Sequence, residues 1–152
     1  MSHQAKDDDS RQRLAERVGA AFAQRDATAA FLGIVLDEIR PGYARMSMNV
    51  TRDMLNGVAI CHGGLSYTLA DTAFAYACNS HDRVAVALSC TITYPAAARL
   101  GDRLTAQCHE ILRKGRNGTY DCTVTTQNGE VVALFRGQCR FLEGHITEGL
   151  SP

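Results

Sequence analysis

One carboxylate stands alone in the most apolar stretch of this chain. Asp71 is the only Asp, Glu, Lys or Arg between Asn56 and Ser80, and apolar residues recur around it at helical spacing. Both sides of the segment are apolar, which predicts a buried helix, and the segment is too short to span a membrane. An unpaired buried carboxylate is costly. Either a partner therefore compensates Asp71, or the protein uses its reactivity.

The tripeptide His62-Gly63-Gly64 precedes the same helix. Backbone N–H groups at a helix N-terminus lack intrahelical partners, and the helix dipole there favours negative charge. Glycine also lets a ligand approach the backbone closely. An acyl carbonyl that becomes negative during attack would fit this place. The Gly63 N–H is thus a candidate oxyanion donor, and Asp71 a candidate general base or nucleophile.

The spacing of these two groups predicts an obligate dimer. Asp71 lies eight residues beyond Gly63, which is about 12 Å along a helix axis. Reacting groups must approach within about 3.5 Å, so one carbonyl cannot touch both groups of one helix. Two helices packed antiparallel would place Gly63 of one subunit opposite Asp71 of the other, which gives two shared sites per dimer.

The remaining elements are predicted from hydrophobic periodicity and turn signals. A helix is expected over 11–25, followed by strands over 31–39 and 43–50 and then the central helix. Four more strands are expected over Val84–Tyr94, Leu104–Leu112, Tyr120–Thr126 and Val131–Leu142, with hairpin turn signals at Asn117-Gly118 and Asn128-Gly129. Residues 1–10 are expected to be a disordered tail, 11–142 a single domain and 143–152 a C-terminal tail. Since hairpins make the sheet mainly antiparallel, an α+β fold with the sheet wrapped around the helix follows.

The motifs around the central helix resemble a known family. Asn56, His62-Gly63-Gly64 and the run Ala70–Ser80 closely resemble the PaaI-type acyl-CoA thioesterases, which are hotdog-fold enzymes of phenylacetic acid degradation. The likeness includes Val132–Gly137 and covers most of the chain after about residue 31. It implies a hotdog fold, Asp71 as the catalytic carboxylate, and hydrolysis of phenylacetyl- or hydroxyphenylacetyl-CoA. Together with the spacing argument, we expect a homodimer or homotetramer, located in the cytoplasm.

The same resemblance favours a functional role for Asn56, whose amide could hold the lytic water or the thioester. Without the resemblance, the pair Asn56-Gly57 would predict a turn about equally well. His62 could fix the direction of the glycine amide beside Gly64, and Thr72 could contact the acyl group or water, although a Thr inside a helix is usually structural.

Basic residues could meet the phosphates of coenzyme A, although exposed basic hairpins are usually only solvated. The candidates are Arg99, Arg113, Lys114 and Arg116. The segment after Tyr94 reads Pro95-Ala96-Ala97-Ala98-Arg99 and lacks the Arg-Pro-Gly turn usual in the family, which puts the local shape of such a contact in doubt.

Composition excludes several classes of protein. The chain has 152 residues, 45% of them hydrophobic, and 16 basic residues balance 16 acidic ones, which argues against a nucleic-acid surface. Residues 1–10 are polar and acidic, so no signal peptide is expected, nor is a membrane partner. No H-x-x-x-H, C-x-x-C or G-x-G-x-x-G spacing occurs, so neither a metal nor a redox cofactor is expected. The six cysteines are interpreted as reduced core residues of a cytosolic protein, with Cys61 as a less favoured nucleophile.

Three alternative functions were weighed. A serine esterase would need a G-x-S-x-G elbow, and Ser66 does not lie in one. A hydratase would want a His paired with the Asp, yet none lies between His62 and His81. A non-catalytic acyl-CoA-binding protein on the same fold stays open, because fold alone does not decide function. The lone Asp71 facing a glycine helix end favours catalysis, since binding needs no buried base.

Overall fold

A computed structural model describes residues 3–148 of the chain. The helices are α1 (His3–Arg25), α2 (Ala27–Leu32) and α3 (Gly63–Asn79). The strands are β1 (Val35–Arg40), β2 (Tyr43–Asn49), β3 (Ala85–Thr93), β4 (Arg103–Lys114), β5 (Asn117–Thr125) and β6 (Val131–Phe141). The predicted order of two strands, a long helix and four strands is confirmed.

The six strands form one antiparallel sheet in the order β1-β2-β4-β5-β6-β3. Helix α3 contacts every strand of this sheet. Alternate residues of β4 and β5 are buried, as expected for strands with one face on a core. The arrangement is the hotdog architecture predicted from the sequence, and it leaves β1 and β3 at the two edges.

The core lies between α3 and the sheet. Phe74 is 1% exposed, and its ring packs against those of Tyr120 and Phe135. A Cβ on Gly137 of β6 would lie 2.7 Å from Phe74 Cζ, so only glycine lets this strand pass so close to the helix. Replacing a buried Phe by Ala typically costs about 3–5 kcal/mol. Phe74 therefore holds α3 in place rather than lining a binding pocket.

The sequence predicts that the central helix is buried on every side. This prediction is wrong for the single protomer, because one side of α3 is uncovered. We call its uncovered side the open stripe: Gly64, Tyr67, Thr68, Asp71 and Ala75, which are all half-buried or exposed. These positions recur every three or four residues and so share one face of the helix. Asp71 lies on this face, between the glycine end and the middle of the helix.

The ends of the domain differ from the predicted tails. Helix α1 begins at His3 rather than Arg11, and its first turns contain side-chain pairs four residues apart, between Gln4 and Asp8 and between Asp9 and Arg13. The predicted C-terminal tail is in part ordered, because Ile146 is buried and the Thr147 hydroxyl donates to Asp82 at 2.8 Å. Residues 1–2 and 149–152 of the predicted tails lie outside the described part.

Two local predictions are also corrected. Residues 31 and 32 end helix α2 instead of beginning a strand, because the Asp26 side chain caps that helix and Gly33 ends it at φ 68°. The hairpin turn between β4 and β5 is Gly115-Arg116, since Lys114 pairs with Asn117. Gly118 is instead buried within β5, where a Cβ would lie 2.8 Å from the Tyr120 ring.

Among the helices of residues 3–148, none combines the length and the apolar character that a membrane-spanning helix needs.

Candidate active site

The segment that leads into α3 is fixed by backbone hydrogen bonds from two directions. The His62 N–H donates to the Met54 carbonyl at 2.8 Å, and the Cys61 N–H donates to the Ala98 carbonyl at 2.8 Å. His62 then caps the helix, because its Nδ1 accepts the Gly64 N–H at 3.0 Å. A Cβ on Gly64 would lie 3.1 Å from that nitrogen, so glycine makes this cap possible. The His62 ring thus fixes the glycine backbone, as the sequence suggested.

The Gly63 N–H is left without a protein acceptor among residues 3–148. The next two amides of the helix are occupied, since Gly64 donates to His62 Nδ1 and Leu65 donates to the His62 carbonyl at 2.9 Å. A partly exposed donor at a helix N-terminus is suited to an anion or to a developing oxyanion.

Tyr94, which the sequence did not single out, lies directly over Gly63. It follows the last residue of β3, and its hydroxyl donates to the Gly63 carbonyl at 2.7 Å. Burial first, and then the nearby Cys61, raise the pKa of the Tyr94 phenol above its ordinary value. The hydroxyl therefore keeps its proton at neutral pH and stays a donor.

Asp71 is half-buried in the open stripe, and within the described chain no hydrogen bond or ion pair compensates its carboxylate. Burial raises the pKa of Asp71 above its ordinary value. Its charge acts on Tyr67, one helical turn earlier, and on Cys90 of β3. Neither supplies a positive charge, so the carboxylate is available to act as a base.

Asn56 shapes the loop in front of α3. Its Oδ1 accepts the N–H groups of Val58 at 3.0 Å and Ile60 at 3.2 Å. The amide nitrogen has no partner within residues 3–148. The turn interpretation and the functional interpretation of Asn56 are therefore compatible, because the oxygen holds the loop while the NH₂ group is free to donate.

Thr72 and Cys61 are less suited to contact a ligand. The Thr72 hydroxyl donates to the Thr68 carbonyl at 2.7 Å, and the side chain is buried on the core side of α3. Cys61 is buried, and burial raises the pKa of its thiol, which disfavours the reactive thiolate. All six cysteines are free thiols, and five of them are buried. No cluster of three or more potential metal ligands occurs in residues 3–148.

Comparison with known proteins identifies the family. The profile of the thioesterase superfamily matches residues 59–133. Over 84% of its length and 91% of the relative's, the chain is 44% identical to acyl-coenzyme A thioesterase PaaI of Escherichia coli. The chain belongs to the PaaI-type thioesterases. The solved structure of the E. coli PaaI protein superposes with a TM-score of 0.87 at 41% identity, covering 88% of this chain and 97% of that one. A putative esterase of Archaeoglobus fulgidus is 36% identical over 82% of this chain and 80% of its own.

Membership of the PaaI-type thioesterases makes this chain an acyl-CoA thioesterase, and thus a thioester hydrolase. The non-catalytic binding protein is accordingly set aside. The predicted hotdog fold agrees with the fold shared with the E. coli protein.

The basic residues predicted to meet coenzyme A lie in two separate places on this thioesterase. Arg99 directly follows Ala98, whose carbonyl is bonded to Cys61, so it lies beside the glycine end of α3. Arg116 lies near the other end of β3, because its carbonyl accepts from Phe141, the partner of Ala85. From Ala85 to Tyr94 is about 30 Å of extended strand. Arg99 is therefore near the Gly63 of its own protomer, whereas Arg116 and its turn neighbours Arg113 and Lys114 are not.

Proposed function

We propose that this hydrolase cleaves an arylacyl-CoA such as phenylacetyl- or hydroxyphenylacetyl-CoA, in sites shared between two protomers. The observation that carries the proposal is the pair of unsatisfied groups on one side of α3. The Asp71 carboxylate and the Gly63 N–H both lack protein partners within residues 3–148, and both are accessible. They lie on one helix, about 12 Å apart along its axis, so a second copy must bring them together.

In the general-base form of the reaction, Asp71 takes a proton from water while the water oxygen bonds to the thioester carbon. The carbonyl electrons move to oxygen, and the Gly63 N–H of the other protomer stabilises that charge. The tetrahedral intermediate then expels the coenzyme A thiolate, which takes the proton back from Asp71. The products are the free acid and coenzyme A, so atoms and protons balance.

In the nucleophilic form, an Asp71 oxygen itself bonds to the carbonyl carbon and displaces the thiolate. Water then hydrolyses the mixed anhydride. A single turnover in H₂¹⁸O puts the label in the released acid when water attacks the thioester carbon directly. Hydrolysis of an anhydride at the acyl carbon also labels the acid, whereas attack at the aspartyl carbon labels Asp71. Label in the Asp71 peptide, detected by mass spectrometry, therefore indicates the nucleophilic form. If the anhydride is instead hydrolysed at the acyl carbon, trapping of the acyl-enzyme with hydroxylamine detects it.

The open stripe and the neighbouring edge of the sheet support the shared site. An apolar helix rarely leaves a row of positions uncovered, and here the row contains Asp71. Strand β3 is a sheet edge, with Val86 45% and Leu88 52% exposed. Unpaired edges carrying apolar side chains are suited to pairing with a second copy. A twofold dimer through this face would repeat every contact twice.

The preference for an aromatic acyl group rests on Tyr67. Helix α3 carries three aromatic residues with rings that could contact an acyl group, Tyr67, Phe74 and Tyr76. Phe74 and Tyr76 are each 1% exposed and fill the core, whereas Tyr67 is accessible and close to Asp71. Its ring meets that of Phe135 edge-on, with the two centroids 5.5 Å apart, so an aromatic surface lies close to Asp71.

Release of coenzyme A from a panel of acyl-CoA thioesters tests the proposed substrate class. We expect phenylacetyl- and hydroxyphenylacetyl-CoA to have kcat/KM values above those of acetyl- and palmitoyl-CoA. Tyr67→Ala should narrow that preference, and Tyr76→Phe, which alters a buried ring away from the stripe, should leave it unchanged. A faster reaction with acetyl- or palmitoyl-CoA would contradict the aromatic assignment and leave the thioesterase chemistry intact.

We also propose that no metal or redox cofactor takes part, as the absence of ligand spacings in the sequence predicts. Hydrolysis should then keep its full rate after dialysis against EDTA. Loss of activity that zinc restores would contradict this.

A further inference from the structure

Tyr94 and Gly63 are matched in shape. A Cβ built on Gly63 would lie 3.1 Å from Tyr94 Cζ and 3.2 Å from its hydroxyl oxygen, closer than Cβ atoms usually come to a neighbour. Glycine at position 63 therefore lets the ring rest on the helix end without being displaced. This contact brings the hydroxyl to 2.7 Å from the Gly63 carbonyl.

The peptide group between Gly63 and Gly64 is held at both of its polar ends. Tyr94 donates to its carbonyl, and His62 Nδ1 accepts its N–H at 3.0 Å. Because a peptide group is planar, these two bonds together define the orientation of its plane. Glycine on both sides would otherwise give this peptide more rotational freedom than any other pair of residues.

The preceding peptide group carries the Gly63 N–H. Its carbonyl, that of His62, accepts from the Leu65 N–H at 2.9 Å, which closes the first turn of α3. The N–H and C=O of a trans peptide point in opposite directions, so this bond sets the direction of the Gly63 N–H. The geometry of this first turn also depends on the neighbouring peptide group, which Tyr94 and His62 hold.

We propose that Tyr94 is a positioning residue of the thioesterase, which acts through the Gly63 backbone and touches no substrate atom. This rests on the proposed role of the Gly63 N–H as oxyanion donor. Donors fixed in advance stabilise a developing charge without reorganising during the reaction. The Tyr94 hydroxyl contributes by reducing the motion of the helix end that carries this donor.

Tyr94→Phe tests the proposal, because it removes the hydroxyl and keeps the ring on Gly63. We expect kcat to fall about two- to tenfold, the range of one net hydrogen bond, while KM stays unchanged. The matched control is Tyr43→Phe, which removes a hydroxyl that donates to Gln107 at 3.3 Å. Tyr43 lies beside Gly42, whose N–H bonds to Ser80 at the far end of α3, so this control should keep the wild-type kcat.

A second readout reports on the backbone without relying on activity. In ¹⁵N-labelled protein, the Gly63 and Gly64 amide resonances should shift in Tyr94→Phe and stay in place in Tyr43→Phe. His62→Ala should also shift them. The kcat losses of His62→Ala and Tyr94→Phe should be non-additive in the double variant, since both side chains hold one peptide group. Equal melting temperatures of Tyr94→Phe and Tyr43→Phe exclude a general loss of folding.

Two results would overturn the role of Tyr94: a kcat equal to that of the Tyr43 control, or a raised KM with an intact kcat, which would place the hydroxyl on the substrate. Asp71→Asn is assayed in parallel. If that variant keeps full activity, the proposed catalytic site is wrong, and the glycine resonances still decide whether Tyr94 holds the Gly63 peptide. If it is inactive and Tyr94→Phe matches its control, only the positioning role fails.

Discussion

Gly63 and Asp71 lie on the same helix eight positions apart, one at its first residue and the other near its middle. The rise along the axis over this interval is about 12 Å. The Gly63 N–H lacks an acceptor and the Asp71 carboxylate lacks a donor within residues 3–148. An antiparallel copy of α3 would satisfy both groups through one substrate carbonyl and one water molecule.

Asp71→Asn should remove most of the activity. The substitution keeps the size of the side chain and removes the base and its charge. We expect kcat to fall about a hundredfold to ten-thousandfold, the range of general acid–base contributions. Equilibrium binding of a non-hydrolysable acyl-CoA analogue should persist, because the amide keeps the pocket shape.

The matched control for this substitution is Asp37→Asn. Asp37 lies on β1, at the opposite edge of the sheet from β3, where its half-buried side chain pairs with Arg103 at 3.7 Å. The kcat of the Asp37→Asn variant should equal that of the wild type. An Asp71→Asn variant with wild-type kcat would show that Asp71 is only a structural acid.

The raised pKa of Asp71 makes a prediction about pH. Because a base must be ionised, kcat/KM should rise with pH through the pKa of Asp71. Burial raises that pKa, so the acidic limb should lie above the ordinary value of 3.8. A pH profile of kcat/KM measures the position of this limb. An acidic limb at or below pH 3.8 would mean that the partner's helix N-terminus lowers the pKa of Asp71 by more than burial raises it.

Stability should respond in the opposite sense to activity. A carboxyl with a raised pKa binds its proton more tightly when folded, so its contribution to stability is present below 3.8 and lost as pH rises through the folded pKa. Asp71→Asn should therefore melt a few degrees higher than the wild type at pH 7, and the difference should vanish at acidic pH. A lower melting temperature at pH 7 would indicate that an ion pair stabilises Asp71.

Local signals in the sequence were sufficient to predict much of the fold and to select the candidate site residues. The apolar run of α3 and the two glycines at its start predict the helix and its free amide, and one carboxylate in that run identifies Asp71. The strands after α3 follow from alternation between two faces. These features depend on neighbours within a few residues, which a sequence displays directly.

Contacts between distant segments explain what the sequence did not predict. Tyr94 lies 31 residues beyond Gly63, and no local pattern links the two. A bulge between Ala87 and Ser89 interrupts the alternation of β3. As a result Leu88 is exposed while Cys90 is half-buried, although strict alternation along a strand would place both on one face. The open stripe of α3 also escaped prediction, because composition does not show which side of an apolar helix the sheet leaves uncovered.

The exposed edge of β3 predicts where the dimer forms. Leu88→Lys places a charge on this edge and should give a monomer without hydrolytic activity, because the proposed site needs groups from two protomers. The matched control is Val35→Lys on β1, since Val35 is 54% exposed and Leu88 is 52% exposed at opposite edges of the sheet. Light scattering after size-exclusion chromatography should show an active dimer or dimer of dimers for the control. A fully active Leu88→Lys monomer would disprove the shared site.

Mixing two inactive variants tests the shared site most directly. Asp71→Asn lacks the base, and Gly63→Pro lacks the N–H while proline remains acceptable in the first helical turn. The proline Cβ would lie 3.1 Å from the Tyr94 ring, which is half-exposed and has room to shift. Gly63→Ala is the control for this crowding, because it adds the same Cβ and keeps the N–H. Alone, Gly63→Pro should lose about a hundredfold to a thousandfold in kcat, the usual effect of one oxyanion donor, and Gly63→Ala should lose less.

In the proposed arrangement, each site of a mixed dimer takes Gly63 from one protomer and Asp71 from the other. One site then carries both defects and the other carries neither. Activity per heterodimer should therefore return to about half that of the wild-type dimer if the sites act independently. Differently tagged protomers, purified through both tags after subunit exchange, supply the heterodimer for this measurement. If the purified heterodimer stays as inactive as its parents, Gly63 and Asp71 do not act on one substrate from different protomers, because only the crossed arrangement produces an intact pair from two defective chains.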